Sequence, residues 1–274
     1  MHHPHMHRLL PAAPAAVLLC VSPAAAQFAT TVVDYQQGDA GQFTAPFDDP
    51  TAAVGAPSRL TADGGALTPF YPASDPGNVV VVNPNGSLTL AFDEPVRDNP
   101  TSVNNGVDLL IFGNSFFFDD FNAPQGTADD PIATGIFADG GAVEVSADGV
   151  TFVAVDGVAD GAFPTLAFQD VSPLLDVGFD GQDLPAGTVE TDFTVPVTPF
   201  DPIGLTASQI VANYGRSGGG APIDFASTGL DAIRFVRITS TGGSPAVDAI
   251  SDVIPEPTGL AALALAGLAL RRRR

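Results

Sequence analysis

The chain has 274 residues, 45% of them hydrophobic, and carries 31 acidic against 10 basic residues, for a net charge of −21. All acidic residues lie between Gln27 and Pro257, where five arginines oppose 31 carboxylates, and this segment of net charge −26 is expected to repel nucleic acid and anionic lipid. Histidine and cysteine occur only before Ala26, and lysine and tryptophan are absent, so the remainder cannot hold a Ser-His-Asp triad, a Cys-His nucleophile, a Schiff-base lysine or a His/Cys zinc site.

The first 26 residues have the pattern of a cleavable secretory signal peptide. Arg8 precedes an apolar stretch over 9–21, and Ala24 and Ala26 form an A-x-A site, so we expect cleavage after Ala26. About 13 apolar residues make roughly 20 Å of helix, too short for a hydrocarbon core of about 30 Å. The pattern implies a Sec translocon and a signal peptidase as partners.

The body of the chain, 27–253, has the pattern of an all-β protein. Short runs rich in Val, Ile, Thr and Phe alternate with clusters of Gly, Pro, Asn and Asp, which is typical of strands and turns. The predicted strands are 30–35, 79–83, 87–92, 107–112, 142–146, 151–155, 233–240 and 246–254.

Two turns and one short helix punctuate these strands. Pro84-Asn85-Gly86 and Ala147-Asp148-Gly149 each predict a hairpin, because their residues tolerate the positive φ that tight turns need. Thr206 and Gln209 have capping-box spacing and predict a helix over 206–213. Many strands and one short helix favour a single antiparallel β-sandwich of the jelly-roll type.

Long connections are predicted at 36–78, 113–141 and 156–232, and such loops are often functional or ordered by a metal. One of them contains Phe116-Phe117-Phe118 followed by Asp119 and Asp120. It is interpreted either as a loop that binds a cation or a sugar, or as phenylalanines packed on the sandwich with the acids in water.

Carboxylate and amide oxygens are the ligands that Ca²⁺ prefers, and several stand at suitable places. Asp108 and Asp248 lie within otherwise apolar strands, where an unpaired charge is costly. Pairing with Arg234 or Arg237, which we favour, or binding of a metal would satisfy them. The candidate Ca²⁺ ligands are Asp108, Asn114, Asp119, Asp120 and Asp248.

The last segment, 254–274, combines three ordered features. Pro255, Glu256 and Pro257 precede an apolar run over 259–270, and the basic end consists of Arg271, Arg272, Arg273 and Arg274. Prolines keep the chain extended before the run, and the arginines favour the cytoplasmic side of a membrane. Twelve apolar residues are short for a full span.

This arrangement resembles the PEP-CTERM sorting signal of Gram-negative bacteria. The resemblance implies a transmembrane helix that anchors the exported protein transiently in the inner membrane. It also implies processing by an exosortase near the PEP motif, and a final location at the cell surface or outside the cell.

The body contains the hairpin segment 143–152, the downstream segments 224–230 and 234–238, and two further strands at 108–114 and 247–250. Together they resemble bacterial surface proteins with a galactose-binding-like, discoidin-type jelly roll. This resemblance implies glycan binding and a structural Ca²⁺ as properties of many members.

The sequence therefore predicts an exported, acidic, non-catalytic protein that is a binding or structural module for extracellular polysaccharide or biofilm matrix. The alternative is a carbohydrate-active enzyme that uses a carboxylate pair, for which Glu94, Glu144 and Glu190 are the candidates.

Overall fold

The computed structural model describes residues 27–39, 46–101, 104–120, 130–170 and 187–253. The predicted cleavage site at Ala24 and Ala26 and the predicted sorting segment 254–274 lie outside the described residues. Within the described ranges, no helix combines the length and the apolar character needed to cross a membrane.

The described part of the chain confirms the predicted all-β class, with twelve strands and one short α-helix. In chain order these are β1 Thr31–Gln36, β2 Val80–Val81, β3 Ser87–Arg97, β4 Leu109–Phe112, β5 Phe116–Asp120, β6 Ile132–Phe137, β7 Gly141–Ser146, β8 Val153–Ala159, α1 Ala207–Tyr214, β9 Ala221–Ile223, β10 Ala232–Ser240, β11 Ala246–Val247 and β12 Ala249–Asp252.

The strands form an antiparallel sandwich. One layer is a five-stranded sheet in the order β1-β3-β10-β7-β8, and a second is a three-stranded sheet in the order β12-β4-β9. Two ribbons, β11-β2 and β5-β6, complete the strand pairing. The largest hydrophobic cluster contains side chains of both sheets, and it includes Leu88, Leu90, Val236 and Ile238 from the larger sheet and Ile111, Ile223 and Ile250 from the smaller one.

Strand β4 is buried on both faces, which explains why all four of its residues are apolar. Leu109 and Ile111 join the main core, whereas Leu110 and Phe112 face a second cluster that contains Phe193. The rings of Phe112 and Phe193 meet edge to face with centroids 5.1 Å apart. The segment that carries Phe193 therefore covers the outer face of the three-stranded sheet.

One predicted hairpin is confirmed and the other is wrong. Strand β7 pairs with β8 across the Asp148-Gly149 turn, where Gly149 has a φ of 74°. The Asn85-Gly86 turn also forms, with the Gly86 N–H donating to the Asn83 carbonyl. However, β2 pairs with β11 and β3 pairs with β1 and β10, so this turn passes the chain between two sheets.

The predicted helix is confirmed, one residue further along the chain. The Gln209 N–H donates to the Thr206 hydroxyl, and the Thr206 N–H donates to the Gln209 side-chain oxygen, which completes the capping box. Ile210 and Tyr214 on the helix are buried and pack with Phe163. The helix thus covers a small aromatic cluster beside the sandwich.

Candidate functional site

The aromatic segment at 116–118 forms a two-stranded ribbon with β6, and this ribbon was not predicted. Phe116 pairs with Phe137, and Phe118 pairs with Gly135. Because side chains alternate between the two faces of a strand, Phe117 points opposite to its two neighbours. Phe117 is 1% exposed and packs edge to face with Phe70, so one face of the ribbon is fixed to the body.

The other face of the ribbon presents phenylalanine rings to solvent. Phe116 stacks on Phe137 with centroids 5.2 Å apart and meets Phe118 edge to face at 5.4 Å. Phe118 is 46% exposed. A side chain at Gly135 would lie about 3.1 Å from the Phe118 ring, so this glycine leaves room for the ring. We call Phe116, Phe118 and Phe137 the aromatic platform.

Asp119 and Asp120 continue strand β5 beyond the platform, opposite Ala133 and Ile132. The register shifts between Phe118 and Asp119, which changes the direction of the strand at this point. Asp119 is exposed and Asp120 is half-buried. The packing interpretation is met in part, because Phe117 packs inward and Asp119 is exposed, whereas Phe118 also faces solvent. Binding of a cation or a sugar by this segment stays a prediction.

Asn114 lies just before the ribbon, in the link from β4. Its side-chain oxygen is buried and has no hydrogen-bond partner among the described residues.

Asp248 and Asp108 are buried as predicted, but the favoured ion pairs with arginine do not form among the described residues. Asp248 is 2% exposed and accepts hydrogen bonds from the Ser58 N–H and hydroxyl, both at 2.9 Å. Arg237 pairs instead with Glu144, at 2.7 Å. Burial raises the pKa of Asp248 to about 7. The partner of this carboxylate is therefore a distant loop, which it holds against β12.

Asp108 is fully buried just before β4 and accepts two main-chain hydrogen bonds. The Asn99 N–H lies 2.6 Å from one carboxylate oxygen and the Phe225 N–H lies 2.9 Å from the other. Burial raises the pKa of Asp108 to about 6, and the neighbouring charges of Asp98 and Asp224 act in the same direction. Asp108 therefore joins two loops to the core, whereas Asp248 joins one.

Among the described residues, Asp98, Asp108 and Asp224 form an acidic cluster in which one oxygen from each lies within 4.8 Å of the others. Of the five predicted Ca²⁺ ligands, only Asp108 belongs to this cluster, so the structure does not bring the predicted set together. Both oxygens of Asp108 already accept N–H groups. Ca²⁺ binding stays a prediction.

A third buried aspartate was missed by the sequence analysis. Asp160 is 1% exposed, has a φ of 51°, and accepts hydrogen bonds from the Ser115 and Ala246 N–H groups. Burial raises its pKa to about 6, and the nearby charge of Asp139 adds to the effect. Asp160 follows a half-exposed strand, so no apolar pattern marked it as buried.

The three glutamates that were candidates for a catalytic carboxylate pair each make their own contacts. Glu144 pairs with Arg237, and Glu190 pairs with Arg59 at 3.3 Å. Glu94 is exposed on β3, where its N–H donates to the Gln27 side chain.

Comparison with protein-family models and with curated proteins finds no match for this chain.

Proposed function

We propose that this chain is an exported, non-catalytic β-sandwich that binds extracellular polysaccharide at the cell surface or in the matrix. The observation that carries the binding role is the aromatic platform of Phe116, Phe118 and Phe137. Sugar rings bind to aromatic faces through their C–H groups, and several rings along one side of a two-stranded ribbon can contact successive units of a sugar chain.

The charge of the protein supports a sugar over the other partners of an apolar surface. A segment of net charge −26 is repelled by anionic membranes and by nucleic acid, which disfavours both as occupants of the platform. Asp119, next to the platform, offers acceptors for sugar hydroxyls. A neutral or cationic polysaccharide therefore fits the surface best.

Two observations support the non-catalytic part of the proposal, namely the residue types that the body lacks and the ion-pair partners of the glutamates. The body lacks histidine, cysteine and lysine, and Glu144 and Glu190 are engaged by arginines. An assay of polysaccharide hydrolysis by the exported protein tests this part, and release of reducing ends would favour the enzymatic alternative.

We expect Phe118→Ala to weaken polysaccharide binding about fivefold to tenfold, because it removes the most exposed ring of the platform. Exported protein is screened on an array of glucan, galactan and hexosamine polymers, and the dissociation constant of the best glycan is then measured for both proteins. Val150→Ala is the matched control, because Val150 is 83% exposed and lies outside the platform.

Absence of binding to every polymer by the unaltered protein would contradict the polysaccharide role. Equal binding by the Phe118→Ala variant would show that sugars bind elsewhere on the protein.

The export part of the proposal rests on the segments 1–26 and 254–274 and implies an exosortase as partner. Replacing Pro255, Glu256 and Pro257 by alanines is expected to leave the protein unprocessed and held in the inner membrane by the apolar run. The arginines at 271–274 favour this retention, since each costs about 2.5 to 3.5 kcal/mol at the centre of a membrane helix. Fractionation of an exosortase-bearing host measures the outcome.

Deletion of Arg271–Arg274 is the companion variant and is expected to weaken retention in the membrane. Normal release of the alanine variant would contradict the assignment of a sorting signal.

A further inference from the structure

A second surface feature, a cavity of about 370 Å³, lies in the loop region before β2. The residues that line it include the aromatic Tyr71, the acidic Asp63 and Asp75, and the hydroxyl-bearing Thr61 and Ser74. Ligand pockets in proteins commonly have about 300 to 1,000 Å³, so the cavity has room for a sugar unit. We call it the acidic pocket.

The walls of the acidic pocket are held by hydrogen bonds that do not depend on a ligand. The Thr61 hydroxyl accepts the Gly65 N–H at 2.9 Å, which closes one turn. The Asp75 carboxylate accepts the Ala62 N–H at 2.6 Å and ties this turn to the opposite wall. The pocket is therefore preformed, and a ligand that enters it does not have to order the loops.

Tyr71 is held in place by a second turn. The Thr68 hydroxyl accepts the N–H groups of Phe70 and Tyr71, and Phe70 is buried against Phe117 beneath the aromatic platform. Tyr71 itself remains 38% exposed. The Phe117 N–H also donates to the Pro69 carbonyl at 2.8 Å, so this turn connects the acidic pocket to the ribbon.

The pocket has acidic groups and an aromatic ring but no positive group. No arginine lines it, and the ion pairs among the described residues engage Glu144, Glu190 and Asp192 rather than Asp63 or Asp75. An aromatic face beside carboxylates is the combination that attracts an ammonium group, through both the ring quadrupole and direct charge. Hydroxyl groups on the same walls suit a sugar that carries the ammonium group.

We propose that the acidic pocket binds the protonated amine of an amino sugar, so that the polysaccharide recognised by this protein contains free amino groups. The proposal rests on the polysaccharide-binding function inferred above and names the class of polymer. The net charge of −26 between Gln27 and Pro257 acts in the same direction, because it attracts a cationic chain from a distance.

The test compares two probes, a β-1,4-linked glucosamine oligomer and its fully N-acetylated counterpart of the same length. Binding of each to the exported protein is measured by calorimetry at mildly acidic pH, where the amines are protonated. We expect the amine form to bind about tenfold more tightly, and this preference to shrink as salt is added, because salt screens charges at the surface.

Asp63→Asn and Asp75→Asn are each expected to reduce the preference about fivefold, since the negative charge that attracts the ammonium group is lost and its hydrogen bond is weakened. Both substitutions keep the side-chain oxygen that accepts the Thr61 hydroxyl or the Ala62 N–H. Asp93→Asn is the matched control, because it removes the same charge from a residue that does not line the pocket. If Asp75→Asn lowers the melting temperature, its binding data are set aside and the binding of Asp63→Asn alone decides the test.

Equal binding of the two probes would overturn the amino-sugar assignment and leave the polysaccharide role in place. An unchanged preference in both pocket variants would overturn the assignment to this pocket. Binding of neither probe, together with an empty glycan array, would overturn the proposed function itself.

Discussion

Replacing Asp108 by alanine is expected to lower the free energy of unfolding by about 3 to 4 kcal/mol. The substitution leaves the N–H groups of Asn99 and Phe225 without their acceptor, and each unsatisfied buried donor costs about 1 to 3 kcal/mol. Loss of the buried charge next to Asp98 and Asp224 offsets part of this cost. Urea denaturation followed by circular dichroism measures the change.

Two further variants separate these contributions. Asp108→Asn keeps one acceptor oxygen and removes the charge, so its loss of stability should be smaller than that of the alanine variant. Asp34→Ala removes a carboxylate of the exposed β1 strand and should change stability by less than about 0.5 kcal/mol. If Asp108→Ala were as stable as Asp34→Ala, the carboxylate would not be what joins the two loops to the core.

The sequence identified Asp108 and Asp248 as buried but not their partners. Each lies in a run of apolar residues that was predicted as a strand, so the local pattern was sufficient to predict burial. In the structure Asp108 comes just before β4, and Asp248 lies between β11 and β12. Their partners are N–H groups of loops, including Ser58, which is 190 residues from Asp248. Main-chain donors carry no sequence signal, because every residue except proline has one. Arginines, by contrast, can be identified in the sequence as partners for a buried aspartate, and the prediction that favoured them was wrong.

Most strands of the two sheets were predicted from the sequence, whereas β9 of the three-stranded sheet and both strands of the β5-β6 ribbon were not. Residues 233–240 and 142–146 match β10 and β7 within one residue, because both have continuous β-branched and apolar patterns. Strand β6 contains a glycine and alternates weakly, and β5 ends in two acids, so neither pattern is typical of a strand. Their pairing depends on Phe117 packing against Phe70, a tertiary contact between distant segments.

The sequence therefore showed the phenylalanines of the aromatic platform but not their arrangement. Three consecutive phenylalanines indicated an unusual loop, but their division into one buried and two outward rings depends on the strand conformation. Phe137, which completes the platform, could not be connected with them without the register of the ribbon. The acidic pocket was not predicted, because Asp63, Asp75 and Tyr71 follow no motif.

We expect the body of the protein to be more stable near pH 4 to 5 than near pH 7 to 8. Burial raises the pKa of Asp108 and Asp160 to about 6 and that of Asp248 to about 7, against an ordinary value of 3.8. Between about pH 4 and pH 7 the folded state therefore holds protons that the unfolded state has lost. Stability falls as pH rises whenever the folded state binds more protons, which gives the sign of the effect.

A single group displaced by about two pKa units corresponds to about 3 kcal/mol, so the three together should produce a clear fall in the melting temperature from pH 5 to pH 8. Repulsion within a segment of net charge −26 adds to the fall, since more carboxylates are charged at high pH. Differential scanning calorimetry from pH 5 to pH 8 measures the fall in melting temperature. High salt screens the repulsion between exposed charges, so the fall that remains is due to the buried aspartates. Asp248→Asn should flatten the profile above pH 5, because it removes the group with the highest of these pKa values. Asp34→Asn, on the exposed edge strand, is the control and should leave the pH profile unchanged. A melting temperature that rises from pH 5 to pH 8 in high salt would contradict the prediction, because it would show that the three aspartates are ionised in the folded protein without cost.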